Sequence, residues 1–304
     1  MSSTLFHYLV FPGFLFTAIV GMIVSWVDRK VTARVQWRKG PPWWQNFADF
    51  VKLLGKEVLI PENAAKVPFL LAPLFGVAAI TIVSTLIWKT IIDPRSTFVG
   101  DIIVILYLLA IPSIAVIVGG FASGNPLASL GASREMKLIL AYELPFILVC
   151  LIPIIKAETI KLGEIVNFQI NNKPILCYPS GIIGFLLGII CMQAKLGFTP
   201  FDIAEAEQEI MAGPYIEYSG ATLALFKLTR QMMLFVLPMF VVITFLGRFT
   251  FSVIDILKYI ILLVLIILIK NTAPRLRIDQ AIKFFWTRGL FLGIAGVLLA
   301  LLGK

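Results

Sequence analysis

Long apolar runs recur along this chain, and they constrain its fold more than any other feature. A run of about 20 residues can cross a hydrocarbon layer of roughly 30 Å as an α-helix. With 59% hydrophobic and 14% charged residues, the chain has too little polar surface for a water-soluble domain. Because no long polar linker separates the runs, we predict one all-α integral membrane domain over residues 1–304. About eight transmembrane helices are predicted, at 5–27, 67–88, 99–121, 136–156, 179–197, 222–246, 250–271 and 284–302.

Basic residues concentrate in alternate loops, and this pattern predicts the orientation. Lys and Arg stay on the cytoplasmic side of short loops. The loop after the first span and the loop before the last are the richest in them. We therefore expect both termini outside and the odd-numbered loops in the cytoplasm. The first run follows no basic residue and is too long for a signal peptide, so it is predicted to be retained. The net charge of +9 indicates topology and not a nucleic-acid partner.

The first cytoplasmic loop contains an amphipathic segment, residues 45–58. Phe47, Phe50 and Leu54 recur at helical spacing, whereas Asp49 and Lys52 fall on the opposite side. This pattern predicts a helix on the cytoplasmic side. It lies either in the membrane interface or against a soluble subunit, and the residues favour neither.

Residues for redox or metal chemistry are scarce. Cys150, Cys177 and Cys191 stand far apart, and His7 is the only histidine. No pattern typical of iron–sulfur, haem, zinc or nucleotide sites occurs. We therefore predict no catalytic, cofactor-binding or metal-binding residue in this chain, and any redox chemistry belongs to a partner.

Charged residues within the predicted spans are the first candidates for function. Glu143 lies nine residues past Arg134, roughly 13 Å along span 4. An ionisable group at such depth costs several kcal/mol unless it is paired, protonated or hydrated. Lys227 and Arg230, three apart on span 6, are its predicted partners. The pattern indicates either a proton carrier or a structural ion pair.

A dense acidic stretch, FDIAEAEQEIMAGPYIEYSG at 201–220, is the second candidate. Asp202 and Glu205 have the spacing of a helix capping box, which would explain two carboxylates. Glu205 and Glu209 would then repel each other on one helix face, with Glu207 pointing elsewhere. Glu217 lies beyond Gly213 and Pro214, where such a helix should end. The predicted electrostatic partners or docking residues are the arginines of the basic loops: Arg29, Arg34, Arg38, Arg275 and Arg277.

These motifs carry a family resemblance. FTPFDIAEAEQEIMAGPYIEYSG resembles the PFDxPEAExELVAGxxxEYSG signature of respiratory complex I subunit 1, the NuoH family. DRKVTARVQWRKGP, GFASGNPLASLGASREMKLILAYELP and APRLRIDQAIKFFW also resemble that family, in the same order. The segment PPWWQNFADFVKLLGKE is shorter than in complex I. In this it is similar to the membrane subunits of group 4 energy-converting nickel–iron hydrogenases, formate hydrogenlyases and sulfane sulfur reductases.

Two departures from the family's motifs matter, one in the acidic signature and one in the motif after span 1. Ala204 stands at the usual proline, and Asp28 stands where the family has glutamate. Residues of the quinone chamber are therefore not carried over, and only the acidic path is.

The resemblance implies a non-redox subunit of a prokaryotic cell-membrane complex that couples electron transfer to proton or sodium movement. Its implied partners are peripheral hydrogenase-like and iron–sulfur subunits on the cytoplasmic face and antiporter-like membrane subunits. Iron–sulfur clusters, and in some relatives nickel–iron, would lie in those partners. Proton-path candidates by motif are Glu143, Glu205, Glu207, Glu209, Glu217, Asp202, Lys227 and Arg230. The alternatives are a quinone-site subunit, a sulfane sulfur reductase subunit and a stand-alone secondary ion transporter.

Overall fold

The regular secondary structure of the described chain is entirely helical. The structure is a computed structural model that describes residues 2–303, apart from the side chains of residues 2–5, 207 and 208, and no strand occurs among them. The helices are α1 (Ser2–Leu9), α2 (Phe14–Val35), α3 (Gln45–Leu54), α4 (Lys66–Ile92), α5 (Asp101–Leu108), α6 (Ile111–Ala122), α7 (Pro126–Ala157), α8 (Leu162–Asn171), α9 (Pro179–Lys195), α10 (Glu207–Ile210), α11 (Gly220–Val241), α12 (Val253–Thr272), α13 (Ile278–Phe284) and α14 (Leu290–Leu301).

Six helical stretches in the described chain are long and apolar enough to cross a membrane. They are Phe6–Val35, Lys66–Ile92, Asp101–Ala122, Pro126–Ala157, Gly220–Leu246 and Ile278–Leu301. Two further apolar helices match the remaining predicted spans: α9, with 17 residues, and α12, with 20. The predicted fold class, a multi-pass all-α membrane protein, is confirmed.

The helix containing predicted span 4 begins ten residues earlier than its apolar run. Pro126 occupies the first turn of α7, and the side chain of Asn125 accepts a hydrogen bond from the Leu127 amide at 2.8 Å. A capped start with proline in the first turn is a favoured helix beginning. The helix therefore extends beyond the apolar run and carries Glu135 and Glu143 on the same rigid element.

Three prolines within the apolar stretches have different effects on their helices. Pro112 lies where α5 and α6 meet, at a break in span 3. Pro145 and Pro238 lie inside continuous helices. After Pro238, α11 changes to a π-helical turn at Val242–Leu246, which is a known device for bending a helix.

The bundle packs in two groups, which are joined by the contact between α6 and α7. In the first, α4 packs against α6 and α11, and α11 also packs on α2; in the second, α7 packs against α9 and α14. Gly184 of α9 allows the α7–α9 approach, because a Cβ there would lie 2.7 Å from Cδ1 of Ile152. The outer face is apolar, as Leu140 at 64% and Phe291 at 73% exposure show, and suits contact with lipid.

The predicted amphipathic helix is present as α3, although it ends at Leu54 and not at residue 58. Asn46 fixes it to α2, because its side-chain amide donates to the Met22 carbonyl at 2.8 Å. Phe47 and Phe50 face the core, whereas Trp43 and Val51 are 64% and 66% exposed. Both alternatives for its environment, the interface and a soluble subunit, are compatible with that exposed face.

Candidate functional site

The acidic loop, defined as residues 201–219, is mostly irregular. The expectation of a capping box at Asp202 and Glu205 is wrong, because no helix begins there and the four-residue α10 starts only at Glu207. The loop turns back on itself at Gly213, which has φ +53° and lies against the Ala204 carbonyl. A Cβ at Gly213 would stand 2.1 Å from that oxygen, so only glycine fits.

Two ion pairs, one to α11 and one to the loop before α13, hold the acidic loop instead. Asp202 accepts from Arg275 at 2.8 Å. Glu205 accepts from the Nη1 of Arg230 at 2.7 and 2.6 Å, and Arg230 also donates to the Gly197 carbonyl at 3.0 Å. The expected repulsion between Glu205 and Glu209 on one helix face is therefore also wrong, because the two carboxylates bind different arginines.

The other acids of the loop lie in more exposed positions. Glu209 pairs with Arg134 at 2.7 Å, but its side chain is 64% exposed, so the pair contributes little stability. Glu217 accepts a hydrogen bond from the side-chain amide of Asn125 at 2.5 Å. The side chain of Glu207 lies outside the described residues, and its predicted role stays a prediction.

Aromatic residues close the far end of the loop. Tyr218 stacks on Phe69 at 4.2 Å between ring centroids, and its hydroxyl donates to the Phe69 carbonyl at 3.0 Å. Burial, with a smaller contribution from Glu205, raises the pKa of Tyr215 well above its ordinary value. Tyr215 therefore remains a protonated hydrogen-bond donor at physiological pH.

Behind the loop lies a small polar cavity of ≈50 Å³. One water molecule needs about 10–15 Å³, so the cavity has room for several. Its charged lining residues are Glu135, Lys195, Asp202, Glu205 and Arg230. Glu135 is only 9% exposed and makes no ion pair within the described residues. The arrangement places a buried carboxyl beside two cations and hydration space.

Lys195 connects this cavity to Glu143. Its ammonium lies 2.7 Å from Oε2 of Glu143, and its side chain is fully buried while that of Glu143 is 21% exposed. The rings of Tyr142 and Phe146 lie 5.2 and 4.7 Å from the same nitrogen. Cation–π contacts and a charge-assisted hydrogen bond together compensate for the burial of the ammonium.

The predicted partners of Glu143 are wrong. Arg230 binds Glu205, and Lys227 is exposed on the rim of another groove with Asp28 and Lys52. Three-residue spacing correctly indicated neighbours on α11, but it gave no information about which helix faces Glu143. That helix is α9, whose last residue is Lys195.

Of the five predicted arginines, two lie beside the acidic loop and three do not pair with it. Arg275 binds Asp202, and Arg277 lines a cleft of ≈280 Å³ with Arg134 and Glu209. Arg29 instead pairs with Asp49 of α3 at 3.2 Å. Arg34 and Arg38 are exposed, and no ion pair joins them to the described side chains of the acidic loop. They remain candidates for docking a partner.

Sequence reasoning missed Glu135 and Lys195 because both lie at span ends. A charge at the end of an apolar run is normally an interfacial residue, and span 4 was predicted to begin at residue 136. One signal was available: Lys195 stands within the predicted span 179–197 and is followed by Leu196 and Phe198. No group of three or more metal-ligating residues occurs within the part of the chain that the structure describes.

Comparison with known proteins agrees with this architecture. A family model described as NADH dehydrogenase matches residues 8–301. The chain is 34% identical to the H subunit of NADH-quinone oxidoreductase from Carboxydothermus hydrogenoformans, over 94% of this chain and 84% of that protein. Its identity to the protein of the same name from Bacillus thuringiensis is 32%, over 98% of this chain and 95% of that protein.

A solved structure is similar over the whole fold. It is a chain of the membrane-bound sulfane sulfur reductase, an archaeal respiratory membrane complex, with a TM-score of 0.88 and 28% identity. The match covers 99% of this chain and 100% of the other.

Proposed function

Because the chain belongs to the NADH dehydrogenase family, whose model spans residues 8–301, we propose that it is the membrane subunit of a multi-subunit respiratory complex. In this role it anchors a peripheral electron-transfer arm and couples the redox reaction of that arm to proton or sodium movement, as in energy-converting hydrogenase-like complexes. In this proposal the redox centres, which are iron–sulfur clusters and also nickel–iron if the partner is a hydrogenase, belong to the arm and not to this chain.

The observation that carries the proposal is the position of Lys195. Lys195 lines the cavity behind the acidic loop, and its ammonium binds Glu143, a carboxylate on a different helix. The acidic loop and the buried Glu135 therefore line the same cavity as the lysine that binds Glu143 in span 4. A structural ion pair alone would not need a cavity with room for water and a second buried carboxyl beside it.

The coupling follows from electrostatics. A unit charge arriving about 10 Å from Glu205 at an effective dielectric of 20 changes its energy by roughly 1.7 kcal/mol, more than tenfold in a protonation equilibrium. Glu205 forms an ion pair with Arg230, and Arg230 lines the same cavity as Glu135 and Lys195. Electron arrival in a docked arm would thus alter proton occupancy at Glu135 and release Lys195 or Glu143 from their pair.

Partners and orientation are part of the same proposal. The basic loops would face the cytoplasm with both termini outside, so the arm would dock over Arg34, Arg38 and the cleft at Arg277. The partly exposed Glu143 would face a neighbouring antiporter-like subunit, which continues the path.

The test compares two isosteric variants in the purified complex reconstituted in liposomes. Glu143→Gln should reduce ions moved per electron pair at least tenfold while electron transfer stays within about twofold. Glu158→Gln, an exposed acid at the end of α7, is the matched control and should change neither. Equal behaviour of the two variants would remove Glu143 from the path.

A second candidate is a quinone-reducing complex, which the names of the NADH-quinone oxidoreductase relatives favour. A third is a sulfane sulfur reductase, which the structural neighbour favours. Stoichiometric quinone in an extract of the purified complex, with inhibition by quinone analogues, would favour the quinone-reducing complex. Sulfide release from polysulfide by a complex without bound quinone would favour the sulfane sulfur reductase.

A further inference from the structure

A second and larger cavity lies between α2, α3, α11 and α12. This basic groove has a volume of ≈530 Å³, and two carboxylates, Asp28 and Asp49, belong to its lining. Leu53, Phe198 and Leu234 are apolar members of the same lining. The cations that line the groove are Arg29, Lys52, Lys56, Lys227, Arg230 and Lys270, so cations exceed carboxylates by four. The excess of cations favours a negatively charged ligand.

The cations of the basic groove fall into two sets, three with an ion pair and three without one. Lys270 binds Asp28 at 2.8 Å, Arg29 binds Asp49 at 3.2 Å, and Arg230 binds a carboxylate of the acidic loop. Lys52, Lys56 and Lys227 are exposed and make no ion pair within the described residues. Three lysines, from α3, from the segment after it and from α11, therefore line one groove without a counter-ion among the described side chains.

The level of the basic groove relative to the membrane indicates which kind of anion it binds. Its wall α3 carries Trp43 and Trp44 at one end, 64% and 51% exposed, and Val51 on its outer face at 66%. Exposed tryptophans beside an amphipathic helix mark the level of lipid headgroups. Basic pockets between helices on the cytoplasmic side suit acidic headgroups.

We propose that the basic groove binds the phosphate headgroup of an anionic phospholipid. Lys52, Lys56 and Lys227 hold the phosphate, and the polar side chains of Asn46 and Gln231 line the space beneath it. The acyl chains pass along the exposed apolar face of α3. The bound lipid neutralises the groove and ties α3 to α11, and it does so whether or not the chain couples redox chemistry to ion movement.

The experiment uses the purified complex in nanodiscs of phosphatidylcholine with a minor fraction of fluorescent phosphatidylglycerol. Lys52→Gln/Lys56→Gln/Lys227→Gln removes the three ammonium groups. Lys66→Gln/Lys137→Gln/Lys283→Gln is the matched control, because these exposed lysines lie outside the groove and the charge change is identical. A lysine near an anionic surface contributes about fivefold, so the groove variant should lose roughly a hundredfold in phosphatidylglycerol affinity.

The outcomes decide between ligands. Loss in the groove variant alone, with bound lipid seen by native mass spectrometry in the wild type and control, supports the assignment. Equal loss in both variants, or none, overturns it. Displacement of the lipid by millimolar inorganic phosphate at matched ionic strength would show that free phosphate is the ligand. If the groove holds no lipid and its lysines are covered only when the peripheral arm is docked, then an acidic protein segment occupies the groove. That result would also contradict the proposal. Lys52→Arg/Lys56→Arg/Lys227→Arg should keep the lipid and excludes a folding defect.

Discussion

The ammonium of Lys195 lies 2.7 Å from a carboxylate oxygen of Glu143, although the two residues are 52 positions apart. The lysine ends α9, and the glutamate stands in the middle of α7. Because the lysine is fully buried, the pair fixes the packing of two helices and also extends the polar cavity into the bundle. One contact thus serves both stability and the proposed path.

Removing the charge of Lys195 should destabilise the bundle. Lys195→Met keeps the length of the side chain but leaves Glu143 without its cation, and breaking a buried pair on one side costs about 3 kcal/mol. The free energy of unfolding in a mild detergent is the measurement. Lys195→Met/Glu143→Leu should recover most of the loss, since a well-packed apolar pair replaces the ions. A double variant as unstable as the single one would contradict the pairing.

Arg230 should control the order of the acidic loop. It binds Glu205 through two contacts and the Gly197 carbonyl through a third. In Arg230→Gln we expect amide hydrogen exchange in residues 197–206 to become at least tenfold faster, because local opening loses these bonds. Arg248→Gln, at an exposed arginine, is the control. Unchanged exchange in Arg230→Gln would show that the loop is held by other contacts.

Gly213 should tolerate no side chain. Both Gly213 and Gly100 have positive φ, at +53° and +90°, but only Gly213 has a neighbour where the Cβ would lie. Gly100→Ala should cost about 1–2 kcal/mol from backbone strain alone. Gly213→Ala should cost clearly more in the free energy of unfolding, since the Cβ would displace the Ala204 carbonyl. Equal costs would mean that the loop is not packed against Gly213.

Asn46 should be the residue that docks α3. Its amide donates to Met22, and its oxygen accepts from Arg29 at 2.7 Å. Asn46→Ala leaves buried polar groups without partners, at a cost of about 1–3 kcal/mol, and should shift the tryptophan fluorescence of the neighbouring Trp43 and Trp44. Gln45→Ala is the control, because Gln45 bonds Asp49 within the same helix. An identical spectrum for Asn46→Ala and the wild type would contradict this docking.

The sequence predicted long elements well and side-chain partners poorly. Apolar length located the membrane helices, and helical spacing located α3, because both signals are local. The partner of Glu143 depends on which helix packs beside α7, and no local pattern carries that information. At Asp202 and Glu205 a local pattern was present but predicted the wrong structure. Their capping-box spacing is a real local preference, but tertiary contacts with Arg275 and Arg230 override it. The residue connecting the two sites, Lys195, was hidden because its charge stands at a helix end.

The central claim is that Glu205 and Glu143 act on one path through Lys195. It is tested most directly by ions moved per electron pair in Glu205→Gln, Glu143→Gln and the double variant, all in the same reconstituted complex. If the residues act in series, each single variant lowers the ratio at least tenfold and the double variant is no worse than the more severe single one, which is strong non-additivity. Independent losses that multiply in the double variant, or a ratio that none of the variants changes, would contradict the account.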